Sequence, residues 1–183
     1  MKTKSLLVSI LAMSLMLVGC AKEQTEDTGK ASMELTNAEI VKTLTDGGST
    51  STSYTDVTFK SASGDWKANT VPSKSNTFVQ LRNKNKAHLL SPEFDGNITK
   101  VELVINARTV IRTFYALPVS TELTDADYAE EIFKTAYGSA TCEKSTAQTI
   151  TIEFTGDTKQ FNLIVGGGAA YVDAVKVYYT PEK

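Results

Sequence analysis

The sequence predicts an all-β chain, an antiparallel sandwich preceded by a leader, a tether and one short helix. Three observations predict it. From Tyr54 onward apolar residues recur with period two, as in Ile150, Ile152 and Phe154, which alternate with threonines and Glu153. Such alternation gives each strand one buried face and one wetter face. Turn-forming clusters separate these runs: Ser63-Gly64-Asp65, Ser91-Pro92, Asp95-Gly96-Asn97, Gly156-Asp157 and Gly166-Gly167-Gly168. No long helical pattern interleaves them, which argues against a parallel α/β sheet.

The elements follow in chain order. Residues 1–19 open with Lys2 and Lys4, and residues 6–18 are almost wholly apolar. That run has the length of a secretory signal core and is too short to span a bilayer. It ends in Leu17-Val18-Gly19-Cys20, which resembles the bacterial lipobox, whose cysteine is lipidated and becomes the first residue of the mature protein. The resemblance implies a signal peptide over 1–19 and a lipid anchor on Cys20. Each buried methylene of such an anchor contributes about 0.8 kcal/mol, so several chains hold a protein stably at a membrane.

Residues 20–34 then read as the lipidated cysteine and a flexible tether. Residues 21–32, "AKEQTEDTGKAS", hold no aromatic or branched apolar side chain, so they bury too little surface to offset chain entropy. Glu23, Glu26 and Asp27 are similar to export signals on surface lipoproteins of Bacteroides-type bacteria. Leader, cysteine and acidic run together imply a lipid-anchored cell-envelope location at the outer membrane, either exposed on the surface or facing the periplasm.

The sandwich domain is expected over 35–183. Thr36-Asn37-Ala38-Glu39 is a capping-box pattern, with Ile40, Val41 and Leu44 at helical spacing behind it and Gly47-Gly48 to end it. Strand stripes follow at Val57 and Phe59; Val101, Leu103 and Ile105; Ile111, Thr113, Tyr115 and Leu117; Ile150 to Phe154; Phe161, Leu163 and Val165; and Val175, Val177 and Tyr179. About eight or nine strands result, the range of a sandwich or jelly roll. Residues 124–133, "TDADYAEEIF", read either as a helical turn or as an acidic loop before a strand.

Composition limits the chemistry. The 183 residues suit one domain, and 41% hydrophobic with 22% charged residues is a folding composition. Net charge is −2, and −4 once Lys2 and Lys4 leave with the leader, which offers no broad basic surface for nucleic acid. Arg82, Lys84 and Lys86 are the one local basic patch. With Cys20 lipidated only Cys142 is left, so no intrachain disulfide forms. His88 is the single histidine and does not stand at ligand spacing from Cys142, so zinc and copper sites lack donors. A serine triad would need His88 as base, and no Gly-x-Ser-x-Gly elbow accompanies it.

Asp125, Asp127, Glu130 and Glu131 form an acidic cluster that reads as a solvated turn, with calcium or a glycosidase pair as its other uses. Asp125-x-Asp127 lacks the glycine and terminal glutamate of an EF-hand loop. Gly166-Gly167-Gly168 is followed by a strand pattern, not a helix, and reads as a hairpin loop in preference to a phosphate cradle. Sugar surfaces pair an aromatic face with amide and charged groups. Trp66, Asn69, Gln80 and Arg82 supply that set if their strands adjoin, with Tyr171 at an end of the sandwich. For Trp66 the reading as the plug of the core outweighs that as a sugar platform.

The stretches "YTDVTFKSASGDWKAN", "FVQLRNKNKAHLLSPEFDGNITKVELVINA" and "ITIEFTGDTKQFNLIVGGGAAYVDAVKVYY" resemble small Bacteroides-type lipoproteins with a galactose-binding-like jelly-roll domain, over about residues 35–181. The resemblance implies the fold and, because members often bind glycans on loops at one end, carbohydrate binding; it carries over no ligand residues. Anchor, jelly-roll pattern and missing catalytic sets together favour a non-catalytic glycan-binding module. The alternative is a structural or protein-interaction subunit of an outer-membrane or surface complex. Expected partners are the membrane through its lipid, a glycan and envelope proteins, but not nucleic acid.

Overall fold

The structure, a computed structural model, describes residues 30–47 and 51–182. The signal peptide, the Cys20 lipidation site, the acidic residues Glu23, Glu26 and Asp27, and most of the tether lie outside the described residues.

Two antiparallel sheets pack as a sandwich, with two short helices. The strands are β1 (Ala31–Leu35), β2 (Thr55–Ser61), β3 (Gly64–Thr70), β4 (Val79–Leu81), β5 (His88–Leu90), β6 (Gly96–Ile105), β7 (Arg112–Leu117), β8 (Gly138–Cys142), β9 (Gln148–Glu153), β10 (Asn162–Val165) and β11 (Ala170–Pro181). The helices are α1 (Asn37–Asp46) and α2 (Glu130–Lys134). One sheet runs β1-β11-β6-β9, with β4 also on β11; the other runs β2-β3-β5-β10-β7-β8.

The capping box is present as read. Thr36 Oγ1 accepts from the Glu39 N–H, and the Glu39 carboxylate accepts from the Thr36 N–H at 2.8 Å. Gly47 closes α1, with its N–H donating to the Thr43 carbonyl. Ile40 and Leu44 are the buried face.

The tether ends earlier than its composition suggests. Ala31–Leu35 is strand β1, paired with β11 from Ala31↔Tyr179 to Leu35↔Val175. A short run anchored by Ala31, Met33 and Leu35 becomes a strand because the edge of β11 satisfies its backbone groups.

The alternating stripes fill the space between the sheets. Phe59, Trp66, Phe114 and Phe161 are its largest fully buried side chains. Two β-bulges adjust which residues point inward. Register shifts at Tyr178/Tyr179 opposite β6 and at Val172/Ala174 in β11 let Ile98 and Val101 both face the core, and likewise Val172 and Val175.

One stripe lies on the opposite face from that expected. In β7 the side facing the other sheet is Phe114 and Ala116, while Ile111 is exposed. Residues 118–137 fold over the outer side of β7 and β10, so Leu117, Ile164 and Tyr128 form a second small core with Tyr115, Ile132 and Phe133 against it. A strand covered on both sides gives no alternation from which to read its inner face.

The 124–133 ambiguity resolves as a loop followed by α2. Gly166-Gly167-Gly168 is not a hairpin loop, because β10 and β11 belong to different sheets; it carries the chain across the sandwich. Gly96 opens β6 and does not sit in a turn, at φ 151° against the Thr180 carbonyl. No helix among the described residues is long and apolar enough to cross a membrane.

Candidate functional site: a polar cleft at one end of the sandwich

Tyr54 immediately precedes β2, Asn69 stands near the end of β3, and Arg82 directly follows β4. The structure brings all three to one cleft of about 440 Å³, lined by Thr52, Ser53, Tyr54, Asn69, Arg82, Asn85 and Asp125.

A latch between the sheets places the wall. Thr70 Oγ1, fully buried at the end of β3, donates to the Gln80 carbonyl at 2.8 Å and accepts from the Gln80 N–H at 2.9 Å. β4 is thereby fixed against β3, and Arg82 follows it into the cleft. The Gln80 amide donates to the Tyr54 hydroxyl at 3.1 Å. That phenol's acceptor capacity is used on Gln80, and its own proton is left to donate. Burial holds the Tyr54 hydroxyl above its ordinary titration range, with the Gln80 hydrogen bond and the Arg82 charge opposing, so it stays a neutral donor.

The opposite wall is a loop docked on a loop. The Asn85 N–H donates to the Asp125 carbonyl, the Lys86 N–H to the Thr124 carbonyl and the Tyr128 N–H to the Asn83 carbonyl. The Tyr128 hydroxyl donates to the Ala87 carbonyl, and burial pushes its titration far upward. Asn85 and Lys86 both take left-handed φ, 61° and 51°. Non-glycine residues hold that conformation at a cost of about 1 kcal/mol or more each, and it recurs where structure is pinned for a task.

Charge in this region is sorted into pairs with one exception. Lys84 lies 3.7 Å from Asp127 and Lys86 lies 3.6 Å from Asp125. Of the basic patch read from the sequence, only Arg82 has no ion pair or hydrogen bond among the described residues, and it is half-buried in the cleft. Asn69 donates to Asp56 at 3.0 Å, while its enclosed Oδ1 accepts from nothing. A buried polar atom without a partner is uncommon and marks a place where function or solvent must supply one.

The expected sugar set therefore divides. Asn69 and Arg82 line the cleft, and Gln80 supports it through Tyr54. Tyr171 pairs with Gln80 across β4 and β11 and packs against Phe78, ring centroids 4.7 Å apart, behind the lining itself. Trp66 is corrected: it is fully buried, edge-on to Phe94 and Phe161 at 6.3 Å, with Nε1–H donating to Ser63 Oγ at 3.0 Å. Its ring faces are spent on the core. Reading residue types missed Asn85, and it missed that Asp125 would meet Asn69 across the cleft.

The acidic cluster does not act as a unit. Asp125 and Asp127 turn to lysines, Glu131 lies 3.6 Å from Lys134, and Glu130 lines a separate trough with Arg112, Tyr115 and Phe133. Among the described residues no three His, Cys, Asp or Glu side chains are placed to hold a metal ion. His88 Nδ1 lies 2.7 Å from the Lys86 carbonyl and donates to it, and Cys142 is buried with its thiol toward the Val110 carbonyl.

No family model matches the chain, and a search of curated proteins finds no match.

Proposed function

We propose that this protein is a cell-envelope lipoprotein, anchored through Cys20 at the outer membrane, whose sandwich domain binds glycan without transforming it. The observation that supports this most is the composition of the cleft. A phenol, two amides, a guanidinium, a carboxylate and two hydroxyls converge around 440 Å³, the mixture of donors and acceptors that sugar hydroxyls require. Glycoside hydrolysis uses two carboxyl groups flanking the bond, roughly 5–9.5 Å apart; Asp125 is the single carboxylate of this lining. The jelly-roll resemblance and the leader point the same way.

The test is a glycan array probed with the full-length protein and with Arg82→Ala. Enrichment on a defined group of glycans, lost in the variant while its melting temperature holds, supports the proposal. Signal no higher than that of an unrelated sandwich overturns it.

A protein-interaction subunit is the second reading, and one observation favours it. Ile111 is 58% exposed and Val110 37%, beside the trough where Tyr115 stacks on Phe133 at 4.4 Å. Under that reading Ile111→Asp abolishes capture of an envelope partner and Arg82→Ala does not.

A further inference from the structure

We infer that the glycan taken by this cleft is acidic, and that Arg82 is the partner of a sugar carboxylate, with the Tyr54 hydroxyl and the Asn85 amide as neighbouring donors. The inference rests on the glycan reading above and narrows it to uronic-acid polymers.

The selection among cations carries the argument. The run from Arg82 to Lys86 holds three basic residues, and the facing loop supplies two carboxylates, Asp125 and Asp127. Both go to the lysines. The guanidinium, the group built for two-point contact with a carboxylate, is left without an ion pair and lines the cavity. Asp56, the other nearby acid, is engaged by the Asn69 amide.

Most of the unused hydrogen-bonding capacity has the same sign; the exception is the enclosed Asn69 Oδ1, an acceptor that a sugar hydroxyl would serve. Tyr54 accepts from Gln80 and retains its proton for a ligand. The Asn85 side chain, on a strained turn, forms no hydrogen bond among the described residues, and neither does Arg82. Against these donors the lining offers one carboxylate, already neighboured by Lys86. A carboxylate ligand satisfies such a surplus of donors, whereas a neutral sugar leaves the guanidinium unneutralised.

The experiment titrates full-length protein with polygalacturonate, alginate and hyaluronan, and with the same three polymers after reduction of their carboxyl groups to primary alcohols. At least one charged polymer is expected to bind, and its reduced form to bind about tenfold more weakly or worse. Arg82→Gln should lose a similar factor on the charged polymer and almost nothing on the reduced one. Tyr54→Phe, a second and sterically mild variant, should weaken the charged polymer several-fold. Equal or tighter binding of the reduced forms, or of neutral glycans on the array alone, overturns the acidic preference and leaves the glycan reading standing. Binding of a charged polymer that neither variant weakens overturns the assignment to this cleft. Binding of no glycan, charged or neutral, removes both.

Discussion

Trp66 illustrates how a residue's type and its position give different information. A lone tryptophan among polar neighbours fits a sugar platform by type. Its place in β3 decides otherwise, because Trp66, Ala68 and Thr70 are the inward face of that strand. Trp66→Ala should therefore cost about 3–5 kcal/mol, read as a lowered urea midpoint, whereas loss of glycan binding at unchanged stability would return Trp66 to the surface. Gly96 makes a similar claim about backbone. Its φ of 151° is open to glycine, and a methyl there would collide with the Thr180 carbonyl. Gly96→Ala should destabilise at the upper end of the roughly 1–3 kcal/mol that overpacking costs, measured by the same unfolding curve. The sequence left Trp66 open between core plug and sugar platform, and the contact at Gly96 was not legible in it, because both depend on partners far along the chain, Phe161 and Thr180.

At the scale of elements, α1 was legible because its signals are local. Thr36 and Glu39 sit three residues apart and satisfy each other's backbone groups whatever surrounds them. Glu39 also accepts from the Ala62 N–H at 3.0 Å, tying the helix to the β2–β3 turn. Burial pulls its carboxyl upward, but the hydrogen bonds from Thr36 and Ala62 outweigh that and hold it below the ordinary glutamate value. A depressed folded value means stability present above the unfolded value, about pH 4.3, and lost as pH falls through the folded one. Glu39→Gln should thus lower the urea midpoint at pH 7 and have a much smaller effect at pH 3; a penalty that does not change with pH contradicts the assignment. β1 was not legible, since its pairing lies with β11 at the other end of the chain. The β7 stripe was misread for a different reason: Tyr115 and Leu117 are apolar on a face that α2 and its loop cover, and two buried faces erase the alternation.

At the scale of the whole molecule, the sandwich follows from period-two stripes and the absence of helical runs, and its sheets close on each other where β3 meets β4. That junction makes the cleft. Asn69, Gln80 and Arg82 were readable as a chemical set, and the strands do bring them together. Asp125 was not readable as their neighbour, because it arrives through backbone hydrogen bonds between residues 83–86 and 124–128, which no residue pattern announces. The same docking explains why an acidic cluster and a basic run cancel and leave Arg82 free. NMR chemical-shift mapping of the full-length protein during titration with a glycan it binds tests the central claim most directly. The account expects the largest shifts at Tyr54, Asn69, Arg82 and Asn85, with Trp66 unmoved; shifts centred on Ile111, Arg112 and Phe133, with the cleft silent, would contradict it.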